Sequence, residues 1–172
     1  WNSACGIATY SRKLIEPAFG TECHVFANDD AQLFSADEPH VERCWTTGDR
    51  DDLQRLKTAI ERAGVDTLLI QFNFSFFSLQ AFAGLLDWAH ARGMRTLVTF
   101  HSTADVRHGK VLKSLRDLRE SLAGCARLLV HSVGDLNRLL DFGLPDNLLL
   151  FPHGVIDTPP PAPGAEQLAA GL

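Results

Sequence analysis

His101, His131 and His153 each stand at the end of an apolar stretch, or one or two residues beyond it. The stretches are 96–100, 126–130 and 148–151. An imidazole in such a place can hydrogen-bond a ligand hydroxyl, such as one near the reacting carbon of a sugar. It can equally be satisfied by the backbone of the loop that it opens. After His101 the chain runs Ser102, Thr103, Ala104, Asp105, so serine, histidine and aspartate lie close together. A serine-hydrolase reading fails, because no GxSxG turn is present to expose a nucleophile. No histidine and cysteine grouping has a zinc-binding spacing, so no metal site is expected.

Gly6 opens an amphipathic stretch. A glycine there lets backbone N–H groups at a helix start meet an anionic or hydroxyl-rich ligand, or it simply starts a helix. The run Cys5-Gly6-Ile7-Ala8-Thr9-Tyr10 is not the GxGxxG of dinucleotide sites, although Asp29 lies at about the distance of a ribose-binding acid. Phe72, Phe74, Phe76 and Phe77 cluster around Asn73 and Ser75. They read as a core plug beneath a loop, or as an apolar wall for an acceptor, lipid-linked ones included. Lys110, Lys113, Arg116 and Arg119 recur every third residue, which reads as a solvated helix face or as a contact with anionic headgroups or an acceptor phosphate.

The elements that must position these residues alternate between helix and strand. Ile7, Ser11, Leu14, Ile15 and Ala18 share one helical face, with Gly20 as a stop. Residues 24–27 and 41–45 read as short strands. Leu53, Leu56, Ile60 and Ala63 mark a helix closed by Gly64. The continuous apolar run 67–72 is then a strand buried on both faces. Leu79, Phe82, Leu86 and Ala89 mark a helix ending at Gly93, followed by the strand 96–100. Val111, Leu115, Leu118 and Leu122 mark another, ended by Gly124 and followed by the strand 126–130. Ser132 and Asp135 form a capping box that opens a helix through Leu136, Leu139 and Leu140 to Gly143, and 148–151 is the last strand.

Strands separated by helices of this length imply βαβ units. The expected fold is α/β: a Rossmann-like, doubly wound parallel sheet with helices on both faces. Ligands bind such sheets beyond the carboxyl ends of the strands. Those positions are 2–6, Asn28 and Asp29, 71–74, 101–105, His131 and Ser132, and His153 and Gly154. A strand feeding the first helix is expected upstream of Trp1. Residues 1–157 read as this domain. Pro159, Pro160, Pro161, Pro163 and Gly164 make 158–172 a stiff linker toward a second domain. Met94 is the only methionine, so a fragment or processed product is expected.

Composition sets the limits. Of 172 residues, 45% are hydrophobic and 22% charged, as in an ordinary globular domain. A net charge of -5 argues against general nucleic-acid binding, which needs a basic face. No apolar run approaches the roughly 20 residues that span a bilayer. Cys5, Cys23, Cys44 and Cys125 are scattered without CxxC and read as reduced, mostly buried thiols.

In order along the chain, these motifs resemble those of family 4 glycosyltransferases. Asn2-Ser3-Ala4-Cys5-Gly6-Ile7-Ala8-Thr9-Tyr10-Ser11 is similar to their opening loop and helix. Leu69-Ile70-Gln71-Phe72 and Thr99-Phe100-His101-Ser102-Thr103 resemble two of their strand ends. Leu129-Val130-His131-Ser132, Phe142-Gly143-Leu144 and Phe151-Pro152-His153-Gly154-Val155 resemble their closing strand–helix–strand stretch and hinge.

The resemblance implies the N-terminal, acceptor-side half of a two-domain GT-B fold. It also implies retaining transfer from a nucleotide-sugar donor to a glycan or lipid-linked acceptor, with no cofactor and no metal. His101 is then the catalytic residue, orienting the transferring sugar and stabilising charge as the glycosidic bond breaks. Gly6, Ile7, Gln71, Asn73, Ser102, His131, His153 and Gly154 would bind substrates. The donor would be held mainly by the other half, no nucleic acid would take part, and the protein would be cytoplasmic with a peripheral contact to the inner membrane face.

Two departures stand out. Relatives usually carry a polar pair such as His–Glu after Gln71, where this chain has Phe72-Asn73-Phe74, and the Glu-x7-Glu donor motif is absent. The alternatives are a nucleotide- or NAD-binding Rossmann enzyme and a non-catalytic domain that binds a glycan or a partner.

Overall fold

The computed structural model describes residues 1–16, 23–29, 32–109, 111–144 and 146–154. Ala18, Gly20, Lys110, Val155 and the linker 158–172 fall outside them. The chain runs α1 (Gly6–Ile15), β1 (Val25–Asn28), β2 (Val41–Trp45), α2 (Gln54–Ala63), β3 (Thr67–Phe72), α3 (Leu79–Ala91) and β4 (Arg95–Phe100). It continues with β5 (Val106–His108), β6 (Val111–Lys113), a 3-10 turn (Leu115–Leu118), α4 (Arg119–Ala123), β7 (Arg127–Val130), α5 (Val133–Asp141) and β8 (Leu148–Leu150).

The main sheet has four strands in the order β3-β4-β7-β8, every pair parallel. Its register aligns Phe72 with Phe100, Phe100 with Val130, and Val130 with Leu150. The residues that follow these four therefore leave the sheet along one rim. Helices flank the sheet: α3 packs on β4 and α4, and α5 on β7 and β8. Phe82, Leu86 and Ala89 of α3 are fully buried against Val98, Leu128 and Val130 of the sheet in one apolar core. The helix ends follow local chemistry. Gly64 and Gly93 take positive φ where a helix must turn out, and Ser132 caps α5 by accepting the Asp135 N–H.

Three expectations are corrected. First, β1 and β2 form a separate parallel pair rather than joining one continuous sheet. Between β1 and β3 lies a cleft of about 870 Å³, lined by Phe26 and Ala27 on one side, Leu69 and Ile70 on the other, and Ile7 and Ser11 of α1. Second, β3 is not buried on both faces: Leu69 is 41% exposed while Leu68 and Phe72 are buried, because β3 is the edge strand of its sheet and borders the cleft. Third, residues 111–122 do not form one helix. A β5–β6 hairpin, turned at Gly109 with φ +61, precedes the 3-10 turn and the short α4.

The last correction disperses the basic stripe. Lys113 pairs with Asp49 at 2.5 Å, Arg116 lies over the Phe142 ring at 4.4 Å, and Arg119 packs against Gly143. Among the described residues, Lys113, Arg116 and Arg119 sit in a strand, a 3-10 turn and a short helix, and do not share one helical face. Among the described residues no helix is long and apolar enough to cross a membrane.

The loop before α1 is clamped to the segment before β2. Glu38 accepts hydrogen bonds from Trp1 Nε1 at 2.9 Å, Asn2 Nδ2 at 3.1 Å and Arg12 at 2.6 Å. Arg43 ties Asp37 at 2.7 Å to the Trp1 carbonyl at 2.8 Å. Burial pushes the Glu38 carboxyl up, but the hydrogen bonds from Trp1 and Arg12, its own backbone and Asn2 outweigh it and hold the group at about 2. The clamp therefore stabilises the fold fully above the ordinary value of 4.5, and its contribution is lost as pH falls from there through about 2. Urea unfolding across that range is expected to show stability dropping with acidity, with a shallower slope in Glu38→Gln. An unchanged slope would mean that the clamp does not bind the carboxylate preferentially.

Candidate functional site

Each site histidine is placed by a strand end. The His101 N–H donates to the Phe72 carbonyl at 3.1 Å, extending the β3–β4 ladder by one residue past β4. Its Nε2 donates to Gln71 Oε1 at 2.7 Å, so Nδ1 carries the lone pair. His131 follows β7 and donates from Nδ1 to the Phe151 carbonyl at 2.8 Å. Phe151 N in turn donates to the Val130 carbonyl at 2.7 Å, which fixes the chain after β8 beside the end of β7. His153 then stacks on His131, ring centroids 3.7 Å apart and planes 23° from parallel.

Tyr10 closes the cluster from above. It lies one helical turn after Gly6, and its ring meets His101, His131 and His153 edge-on at 5.4, 5.4 and 5.0 Å. Burial of the His101 ring, with His131 and His153 beside it, lowers its pKa to about 4. At neutral pH it is a neutral donor and acceptor, and not a cation. Burial also lowers His153, with His131 adding to the effect, and burial raises the Tyr10 hydroxyl. Among the described residues, Tyr10 Oη and His131 Nε2 are buried without a hydrogen-bond partner. One ring nitrogen from each of the three histidines lies within 4.8 Å of the others.

A polar brace holds the loop after β4 against the start of α5. Thr103, fully buried, donates to Asp135 Oδ1 and accepts from Arg138 Nη1 at 2.6 Å. Ser132 Oγ donates to Asp135 Oδ2 at 2.6 Å, and Arg138 pairs with Asp135 at 3.1 Å. Burial pushes the Asp135 carboxyl up, yet the hydrogen bonds from Ser132 and Thr103 and the Arg138 charge keep it below its ordinary value. Fixing Thr103 to Ser132 fixes the loops that carry His101 and His131 relative to each other.

Of the residues singled out in the sequence, the structure brings together His101, His131, His153 and Gln71. Gly6 is exposed one turn from Tyr10, and a Cβ added there would meet nothing within 4 Å. The start of α1 has no side-chain cap and no acidic residue in its first turn, so its first-turn N–H groups remain available to an anion. Ile7 lines the cleft with Gln71. Asn73 is committed locally, its Oδ1 accepting from Ser75 N at 3.0 Å and Ser75 Oγ at 2.8 Å. Ser102 is half-buried between His101 and Thr103, and Gly154 is exposed.

The phenylalanine cluster is core. Phe72, Phe74 and Phe77 are buried, with Phe74 packed on Phe72 and both Phe72 and Phe77 on Phe82, while Phe76 and an edge of Phe77 line the cleft. The four cysteines are free thiols, and burial pushes Cys44 up to about 12, which makes it inert. Sequence reasoning missed Tyr10, Thr103, Asp135 and Arg138 as parts of the site. For Tyr10 the available signal was its position four residues after Gly6, on the same helical face.

The expectation of no metal site rested on spacing along the chain. Sheet register nevertheless brings three widely separated imidazoles together, which no linear spacing rule registers. The chain matches no protein-family model, no curated protein and no solved structure.

Proposed function

We propose that this chain is the acceptor-side half of a retaining, GT-B type sugar transferase. The reacting sugar would lie on the rim formed by His101, His131 and His153. The observation that carries the reading is the convergence of His101, Gln71 and α1 beyond the carboxyl ends of a parallel sheet, where such folds bind ligands. The ordered resemblance from Asn2 to Val155 supplies the reaction class.

The rim suits a polyhydroxylated ligand. The neutral His101 ring gives its Nε2–H to Gln71 and offers a ligand hydroxyl the lone pair on Nδ1, with the Gln71 amide beside it. The open first turn of α1 adds backbone donors for an anionic group such as a phosphate. In this reading, His101 orients the transferring sugar and meets charge that develops as the glycosidic bond breaks. It acts by preorganised hydrogen bonding and not as a nucleophile. The donor nucleotide is held chiefly by a second half.

The test has two arms. This chain is incubated with a panel of glycans and lipid-linked saccharides, and separately with NAD. The polypeptide that joins it to a donor half is assayed for nucleotide release from UDP-, GDP- and ADP-sugars. Saccharide binding by the chain, together with acceptor-dependent nucleotide release that retains anomeric configuration, is the expected result. Tight NAD binding with no saccharide binding would overturn the reading.

A further inference from the structure

We infer that His101, His131 and His153 form a three-histidine binding site for a borderline transition-metal dication such as Zn²⁺. One ring nitrogen from each lies within 4.8 Å of the others, and the three arrive from the ends of adjacent strands. Four-coordinate zinc, with bonds of about 2.0–2.1 Å to nitrogen, needs its ligand nitrogens about 3.3 Å apart, so closure requires the nitrogens to draw together and the His153 ring to turn off its stack on His131 until the lone pairs converge. His153 is exposed and carries most of that freedom.

The hydrogen bonds already set two tautomers for metal binding. His131 gives its Nδ1 proton to a backbone carbonyl and His101 gives its Nε2 proton to Gln71. Histidine ligands in metal sites are commonly held in this way, with the far N–H on a carbonyl or carboxyl oxygen. The lone pair left on His131 Nε2 is buried and has no partner among the described residues, and a bound cation would satisfy it.

The donor set selects the ion. Imidazole nitrogens suit Zn²⁺, Co²⁺, Ni²⁺ and Cu²⁺, whereas Mg²⁺ and Ca²⁺ prefer carboxylate and carbonyl oxygen. Three protein ligands leave a fourth position open to water or to a substrate oxygen. Tyr10 Oη, also buried without a partner, lies on the same cluster. This site and the sugar-transfer reading share the His101 Nδ1 lone pair, which a bound ion would occupy, but their tests are separate: ion binding is read on this chain alone and sugar transfer on the joined polypeptide.

The test is Zn²⁺ binding by the 172-residue chain in competition with a chromophoric chelator, with Co²⁺ as a spectroscopic probe. One ion per chain is expected, with a visible Co²⁺ spectrum of a four-coordinate imidazole site. Gln71→Ala should weaken binding about 10- to 100-fold through loss of the outer hydrogen bond. His131→Ala and His153→Ala should each weaken it further, while His24→Ala, at the exposed residue just before β1, should not. Because His153 is exposed, its variant tests the site even if the buried replacements unfold. Zn²⁺ affinity unchanged in His153→Ala, no stoichiometric binding, or a thiolate-to-Co²⁺ charge-transfer band pointing to Cys5 or Cys23 would each overturn the inference.

Discussion

Replacing His101 by alanine is expected to lower the turnover of sugar transfer by roughly two orders of magnitude or more, the scale of losing one hydrogen bond made in the transition state. The imidazole is held on two sides: its backbone N–H extends the β4 ladder to Phe72, and its ring bonds Gln71. Alanine keeps the first contact and removes the second. The fold should therefore survive, while the group that meets developing charge disappears. The loss should fall on kcat and leave KM for the acceptor within a few fold. That split separates a transition-state role from simple binding. Steady-state kinetics on the joined polypeptide reads both, and near-normal turnover would remove His101 from the mechanism.

The second large effect falls on stability. Phe72→Ala is expected to cost about 3–5 kcal/mol, the range for deleting a buried aromatic ring and leaving a cavity. Phe72 is 0% exposed and packs against Phe74, Phe77, Phe82 and Phe100 at centroid distances of 5.3, 6.5, 4.7 and 5.5 Å. These rings come from β3, the loop after it, α3 and β4, so the site cannot collapse without moving several elements. Against a total of about 5–15 kcal/mol for a domain, the loss leaves little. Urea unfolding measures it directly. A loss below about 1 kcal/mol would mean that the five rings do not share one core. The Phe72 carbonyl, which alanine keeps, still accepts the His101 N–H, so the loss falls on the core.

Much of this was legible from local chemistry. The helices α2, α3 and α5 follow apolar residues at helical spacing. Their boundaries follow Gly64, Gly93 and the Ser132–Asp135 pair, each of which does at its terminus what its residue type dictates. The strands β3, β4 and β7 follow continuous apolar runs. The β5–β6 hairpin was hidden because Leu115, Leu118 and Leu122 keep a helical spacing through a 3-10 turn and a short helix. Val111 then looked like one more turn of that helix. The break between β1 and β3 was hidden for another reason. An apolar strand reads the same whether its second face meets a helix or a cleft, and only the 41% exposure of Leu69 tells them apart.

The site was partly legible for the same reasons. His101, His131 and His153 each mark a strand end, so their place on the carboxyl rim followed from the alternation of elements. Their mutual approach did not, because it depends on which strands are neighbours and in what register. Tyr10 was harder still: its role requires α1 to lie over the ends of β4, β7 and β8. The brace of Thr103, Asp135 and Arg138 joins residues far apart in the chain, and no local pattern announces it.

The site depends on three strand ends delivering their imidazoles beneath one tyrosine ring. Nuclear Overhauser contacts between the Tyr10 ring protons and the histidine ring protons measure that arrangement in solution. With edge-on centroids 5.0 to 5.4 Å apart, cross-peaks from Tyr10 to His101, His131 and His153 are all expected. A spectrum in which Tyr10 contacts none of the three, with α1 still helical, would contradict the site and the functions built on it.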